Sequence, residues 1–212
     1  MSSMVSENST DFATEVMTPN GGLDVTGQLD EENIIQIRGD AKIGIVGGNL
    51  SDVVTTGAGD AIIFAGDGDD IVIGGIGNDI IRGGNGDDVL RGGPGADLLI
   101  GGEGNDIIRG GLGGVDEDGN PLGDTLKGGS GADIFEFSAK EFEDGAMDEI
   151  EDFKADEFAD TIKIFGVGAD GSVIYNPETG IVSVNGQEAI NIGTGKDVNS
   201  NINEDNGTWE LF

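Results

Sequence analysis

From Ala65 to Arg109 the chain repeats every nine residues, as AGDGDDIVI, GGIGNDIIR, GGNGDDVLR, GGPGADLLI and GGEGNDIIR, and after an interruption GGSGADIFE runs from Gly128 to Glu136. The first six places of each unit are turn material and the last three are strand material. Glycine supplies the positive φ and close approach that a tight turn needs, while Ile, Val and Leu favour the extended state. In a three-residue strand the middle side chain points opposite to its neighbours. The middle set, Val72, Ile81, Leu90, Leu99, Ile108 and Phe135, is therefore the natural inward column. One unit buries too little to stand alone, so units must stack. Two units, each a turn and a strand, close one coil of eighteen residues with two facing parallel sheets, which puts residues eighteen apart above one another.

Such a coil piles the sixth-place carboxylates into columns, Asp70, Asp88 and Asp106 on one side and Asp79 and Asp97 on the other, at the strand spacing of about 4.8 Å. Bare columns repel. With 42 acidic residues against 10 basic ones, and a formal net charge of -32, the chain disfavours any compact state until cations neutralise it. The same charge argues against nucleic acid and anionic membranes as partners. Ca2+ accepts about six to eight oxygens, carboxylate and carbonyl alike, so it can sit between two turns that each supply part of its shell. Mg2+ keeps its waters and demands octahedral geometry, and fits less well. The chain has no Cys and no His, which excludes disulfides and thiolate sites and removes the usual parts of zinc hydrolases and Ser-His enzymes. Gly at 41 of 212 residues and aromatics at 5% also argue against a globule packed from large side chains.

The segment from Ala65 to Glu136 resembles the RTX (hemolysin-type, serralysin-like) β-roll, whose repeat reads G-G-x-G-x-D-x-U-x. The resemblance implies an all-β fold, a right-handed parallel β-roll with several Ca2+ ions between successive turns, bound by the sixth-place aspartates and carbonyls of the glycine loop. It carries the ligand role onto Asp70, Asp79, Asp88, Asp97, Asp106 and Asp133. The plainer alternative, a glycine-rich flexible linker, does not keep apolar residues in phase.

Upstream the register decays. GGNLSDVVT, from Gly47, keeps Asp52 but has Leu50 in place of glycine, and TGAGDAIIF, from Thr56, has Ala61 where the ligand belongs, with Asp60 one place early. These turns are expected to be roll without full calcium sites, with Asp52 a marginal ligand. RGDAKIGIV, from Arg38 to Val46, reads as a further capping turn, and residues 1 to about 28 are polar and irregular, with disorder the default. Between Gly110 and Lys127 two readings compete: two degenerate repeats, or one repeat GGLG...GDTLK interrupted by the loop Gly114 to Leu122. The first puts Glu117 at an inward strand place between Asp116 and Asp118, and burying that charge is costly. The loop is favoured, with Asp124 a ligand and Leu126 inward. An EF-hand over the same residues fails, with Pro121 where glycine is needed and Lys127 where glutamate is needed. Arg82, Arg91, Arg109 and Lys127 take the outward last strand place; covering outward apolar residues and offsetting nearby carboxylates is favoured over polyanion binding.

After Phe137 the beat stops. Asp148, Ile150, Asp152 and Phe153, then Asp160, Ile162 and Ile164, are similar to the segment that closes RTX rolls in the serralysin-like family, with a longer spacer here. Six of the nine phenylalanines, Phe135, Phe137, Phe142, Phe153, Phe158 and Phe165, suggest a hydrophobic plug over the open end. Turn signals at Asn176-Pro177 and Asn185-Gly186 mark hairpins in a C-terminal β-rich cap. The domains expected are a partly disordered segment 1–37, the calcium-binding roll 38–136 and a capping region 137–212. MSSMVSENSTDF shows no cleavable secretory signal. Trp209, Leu211 and Phe212 read either as packing residues or as the end of an uncleaved type I secretion signal. The function expected is a secreted, extracellular, non-enzymatic calcium-binding protein whose partners are Ca2+ and type I secretion machinery. The alternatives are a carbohydrate-binding, adhesion or surface-layer module with a cell-surface or glycan partner, or an accessory domain of a secreted enzyme.

Overall fold

The computed structural model describes residues 13–17, 23–26, 34–38, 43–143, 145–155, 159–168, 171–196, 198–203 and 208–212. Two ten-stranded sheets face each other, and up to Thr161–Phe165 successive strands alternate between them, apart from one short outward hairpin. In one sheet Val53–Thr55, Ile71–Ile73, Val89–Pro94, Ile107–Leu112, Ile134–Ser138 and Thr161–Phe165 pair in parallel, and in the other Ile43–Val46, Ala61–Asp67, Ile80–Asn85, Leu98–Glu103, Thr125–Ser130 and Asp148–Ile150 do the same. This is a parallel β-roll. Ile80 pairs with Ile62 and Leu98 with Ile80, the eighteen-residue step that two nine-residue units require.

The middle residue of each triplet points inward. Val54, Val72, Leu90, Ile108, Phe135 and Ile162 form one fully buried column, and Ile63, Ile81, Leu99 and Leu126 form the facing one. Most strands run past the triplet into the glycine pair, so that Gly84 and Gly102 are in register; the extended stretch is longer than the three residues read from side-chain pattern. Gly102 has φ +136°, and a Cβ there would strike the carbonyl oxygen of Gly84 one coil above.

Within the interrupted segment Leu98 pairs with Thr125 and Ile107 with Ile134, a step of twenty-seven residues on both sheets. The extra nine form an outward hairpin in which Gly114–Val115 pairs antiparallel with Pro121–Leu122, while Asp124 and Leu126 are buried in the regular positions. Glu117 is exposed at its tip.

The N-terminal segment, expected to be partly disordered, contributes strands that the nonapeptide pattern does not announce. Ala13–Met17 and Leu23–Thr26, within the segment expected to be disordered, are strands of the roll, paired in parallel with Ile34–Arg38 and Ile43–Val46. Ala13 pairs with Ile34, Leu23 with Ile43 and Ile34 with Val53, so the step runs 21, 20 and 19 residues before settling at 18 where Ile43 meets Ala61. A drifting step leaves no periodic signal, even though a glycine pair, Gly21-Gly22, precedes Leu23.

At the C-terminal end both sheets turn antiparallel. Thr208–Leu211 adds to Thr161–Phe165 and Ser200–Asn203 to Thr208–Leu211, while beyond Gln187–Asn191 the other sheet closes with Ile181–Val184 and Val173–Asn176. The hairpin turn at Asn185-Gly186 has both residues at positive φ, 55° and 81°, as a two-residue loop with the twist of its strands requires. Phe135, Phe137, Phe142 and Phe153 are buried at this end, with Phe137 and Phe142 rings 5.8 Å apart. Phe165 departs from the expected plug: strand alternation turns it outward and it is exposed. Phe158 lies outside the described residues.

Candidate metal column

Asp52, Asp70, Asp79, Asp88, Asp97, Asp106, Asp124 and Asp133, the eight residues singled out from sequence, are all buried on the turns of the roll. Their carboxylates are ordered by a ladder. Oδ1 of Asp70 accepts the N–H of Asp52 at 2.7 Å, Oδ1 of Asp88 that of Asp70 at 2.8 Å, and Oδ1 of Asp106 that of Asp88 at 2.8 Å; Asp133 then takes the N–H of Asp106 at 3.0 Å. On the other side Asp79 accepts from Ala61, Asp97 from Asp79 and Asp124 from Asp97. The two columns close on Asp160, which accepts from Asp133, and Asp148, which accepts from Asp124. Both were visible only as part of the closing pattern; their place in the ladder depends on a chain path that no repeat announces.

One oxygen of each carboxylate is thereby occupied. The other, Oδ2 of Asp70, Asp79, Asp88, Asp97, Asp106, Asp124 and Asp133, is buried with no hydrogen-bond partner. Leaving a buried acceptor unsatisfied costs about 1–3 kcal/mol, and more when it is charged. Burial, only partly offset by the ladder hydrogen bond, pushes Asp97 up to about 8, Asp88 and Asp106 to about 7 and Asp70 and Asp124 to about 6; Asp79 and Asp133 are also raised. Neighbouring carboxylates add to the rise in both columns, Asp106 and Asp70 acting on Asp88, and Asp124 and Asp79 on Asp97.

The space beside each Oδ2 is lined by oxygen and kept clear by glycine. A Cβ on Gly74 would meet Oδ2 of Asp79 and the carbonyl oxygen of Gly92; one on Gly83 would meet Oδ2 of Asp88 and the carbonyl of Gly101; one on Gly92 would meet Oδ2 of Asp97 and the carbonyl of Gly110. Ala65, five residues before Asp70, is the exception to this glycine. Among the described residues no three acidic side chains converge on one point. A cation held here would take carboxylate oxygen from single aspartates and complete its shell from backbone carbonyls, an all-oxygen set suited to a hard ion of flexible coordination such as Ca2+.

The column fades at its N-terminal edge. Oδ2 of Asp52 accepts the N–H of Gly48 at 3.3 Å, which separates it from the other seven. Thr56 stands at the first place of the turn that has Ala61 at the sixth, and its hydroxyl donates to the carbonyl of Gly74. Asp60, one place early, belongs to an outer ladder: it accepts from the N–H of Asn78, and Asn78 from that of Ala96. On the other side Asp69 accepts from Asp87 and Asp87 from Asn105. The fifth place is thus mostly Asp or Asn for a structural reason that was not read from sequence, although its recurrence was open to view. Among the outward bases, Arg109 is paired with Glu136 on the neighbouring strand, as charge offset rather than polyanion binding requires.

Residues 46–81, 82–114 and 118–136 match the family model of the RTX calcium-binding nonapeptide repeat, in four copies. None of the curated proteins compared with the chain matches it. The chain carries hemolysin-type RTX calcium-binding repeats, and their stacked turns are the β-roll described above.

Proposed function

We propose that the seven aspartates from Asp70 to Asp133 with an unpartnered Oδ2 are the side-chain ligands of a row of Ca2+ ions, and that the roll folds as they bind. The observation that carries this reading is the set of seven buried Oδ2 atoms left without any donor of the chain's own, all but that of Asp70 facing a space kept clear by a glycine. Asp52 is at most an edge contributor. Calcium bound at ten times its dissociation constant contributes about 1.4 kcal/mol per site, and about seven sites on the order of 10 kcal/mol, as much as a whole domain's stability. Each ion also relieves a column of like charges.

On this reading the protein works outside the cell. Extracellular calcium modules bind at about 0.1 to 1 mM, far above cytosolic calcium, so the chain stays largely unfolded during synthesis and passage through type I secretion machinery, then folds in external calcium. Its role is non-enzymatic, since the buried carboxylates are accounted for by metal. Leu211 is buried in the C-terminal cap, as the packing reading of Trp209 to Phe212 expects.

Metal counting on the full chain tests the assignment. Elemental analysis after equilibration in calcium is expected to give several ions per chain, and Asp97→Asn to remove at least one of them. A wild-type protein that retains no calcium at millimolar concentration would overturn the reading.

A further inference from the structure

The turn from Thr56 to Ala61 lacks the sixth-place aspartate yet keeps the frame of the turns below it. The amide of Ala61 donates to Oδ1 of Asp79 at 2.7 Å, as that of Asp79 does to Asp97 at 2.8 Å. The amide of Thr56 donates to the carbonyl of Ile73, as that of Gly74 does to Arg91. This turn is therefore one more rung of the Asp79 column, with a buried methyl in place of the carboxylate.

What fills the vacated space is decided at the first place of the turn. A Cβ built on Gly74, Gly83, Gly92 or Gly101 would run into two oxygens: Oδ2 of its own turn's aspartate, and the first-place carbonyl of the next coil. A side chain at the first place thus enters the space beside Oδ2. Thr56 is such a side chain, and it is 6% exposed. One of the two bordering oxygens is absent because Ala61 has no carboxylate; to the other, the carbonyl of Gly74, the Thr56 hydroxyl donates. Ala65, also at a first place, brings only a methyl, and Oδ2 of Asp70 beside it stays without a partner. In the neighbouring column the edge is likewise met by a donor of the chain, since Oδ2 of Asp52 accepts the N–H of Gly48 at 3.3 Å.

We infer that the turn from Thr56 to Ala61 is a calcium site closed by a hydroxyl: the Thr56 side chain fills the space that a Ca2+ ion takes in the turns below, and the ion row of this column begins at Asp79. This rests on the calcium reading above. Thr56 and Ala61 act as a pair. Removing the carboxylate makes room for the larger first-place side chain, and the hydroxyl gives the Gly74 carbonyl a donor without adding a charge that the missing aspartate would have had to balance. On this side of the roll the coil of Thr56 is joined to the coil of Gly74 without metal.

The test counts calcium per chain and follows thermal melting, both in saturating calcium, on the full-length protein and its variants. Thr56→Gly combined with Ala61→Asp restores the glycine and the carboxylate, and should bind one more ion than the wild type. Ala61→Asp alone sets a carboxylate against the Thr56 side chain; it should gain no ion and melt below the double variant. Thr56→Val keeps the shape and removes the donor, and should lower the melting temperature by about 4 °C or more. Thr56→Ser, which keeps the hydroxyl, should stay closer to the wild type than Thr56→Val. The inference is overturned if a folded double variant binds no more calcium than the wild type, if Ala61→Asp alone already gains the ion, or if Thr56→Val melts no lower than the wild type. Should the double variant fail to fold, the valine and serine comparison decides. A wild type that binds no calcium would instead overturn the calcium reading.

Discussion

An acceptor oxygen without a donor is costly inside a protein, and here the same atom, Oδ2, recurs at seven turns. The regularity is what gives it meaning, because accidental defects do not repeat in register. Glycines such as Gly74, Gly83 and Gly92 beside it are placed by the same demand for room, and glycines elsewhere in the roll differ in what they contribute. Gly102 combines φ +136° with a Cβ path blocked by the Gly84 carbonyl, whereas Gly119, at φ +82°, has open space around it. Gly102→Ala should therefore cost about 3 kcal/mol or more, from backbone strain and overpacking together, and Gly119→Ala only about 1 kcal/mol. Melting of both variants in saturating calcium checks the ranking, and equal losses would count against it. At this scale much was legible: the sixth-place aspartates and eighth-place apolar residues stand out because each does one job at one spacing. Asp148 and Asp160 were legible only as part of the closing pattern and not as members of the ladder, since their roles arise where the repeat has stopped and only the chain path brings them back under the last turns.

Strands tell a second story. The roll accepts insertions at its turns provided the register is restored, as the steps of twenty-seven residues from Leu98 to Thr125 and from Ile107 to Ile134 show. Removing residues 114 to 122 would leave GGLGGDTLK, a complete nonapeptide with Asp124 at the sixth place. That deletion should keep the calcium count and alter the melting temperature by only a few degrees, because loop length enters stability weakly; loss of an ion would show that the hairpin helps to form a site. The inserted hairpin could be inferred from sequence because the alternative buried Glu117. The N-terminal strands could not, because a step drifting from 21 to 19 residues, with glycine pairs at no fixed spacing, hides a roll from any search for period.

For the molecule as a whole, the charge of -32 and the buried columns set the conditions under which it exists as a fold. Without metal, these carboxyls have folded pKa values above the ordinary 3.8, near 6 for Asp70, Asp124 and Asp160, near 7 for Asp88 and Asp106 and near 8 for Asp97. A group raised in this way favours the fold when protonated, so the metal-free roll is most stable in acid and loses stability as pH rises from the ordinary value of 3.8 through about 6 to 8, where the folded carboxyls ionise. Calcium reverses that dependence, since it needs ionised carboxylates and competes with protons for them. Thermal melting of the full chain by circular dichroism, from pH 5 to 9 in metal-stripped buffer and again in calcium, is the most direct test. At pH 8 calcium should raise the melting temperature by roughly 20 °C or more, and in its absence strand content should grow as the pH is lowered toward 5. A metal-stripped chain that at pH 8 has the same spectrum and the same melting temperature as the calcium-loaded one would contradict the account.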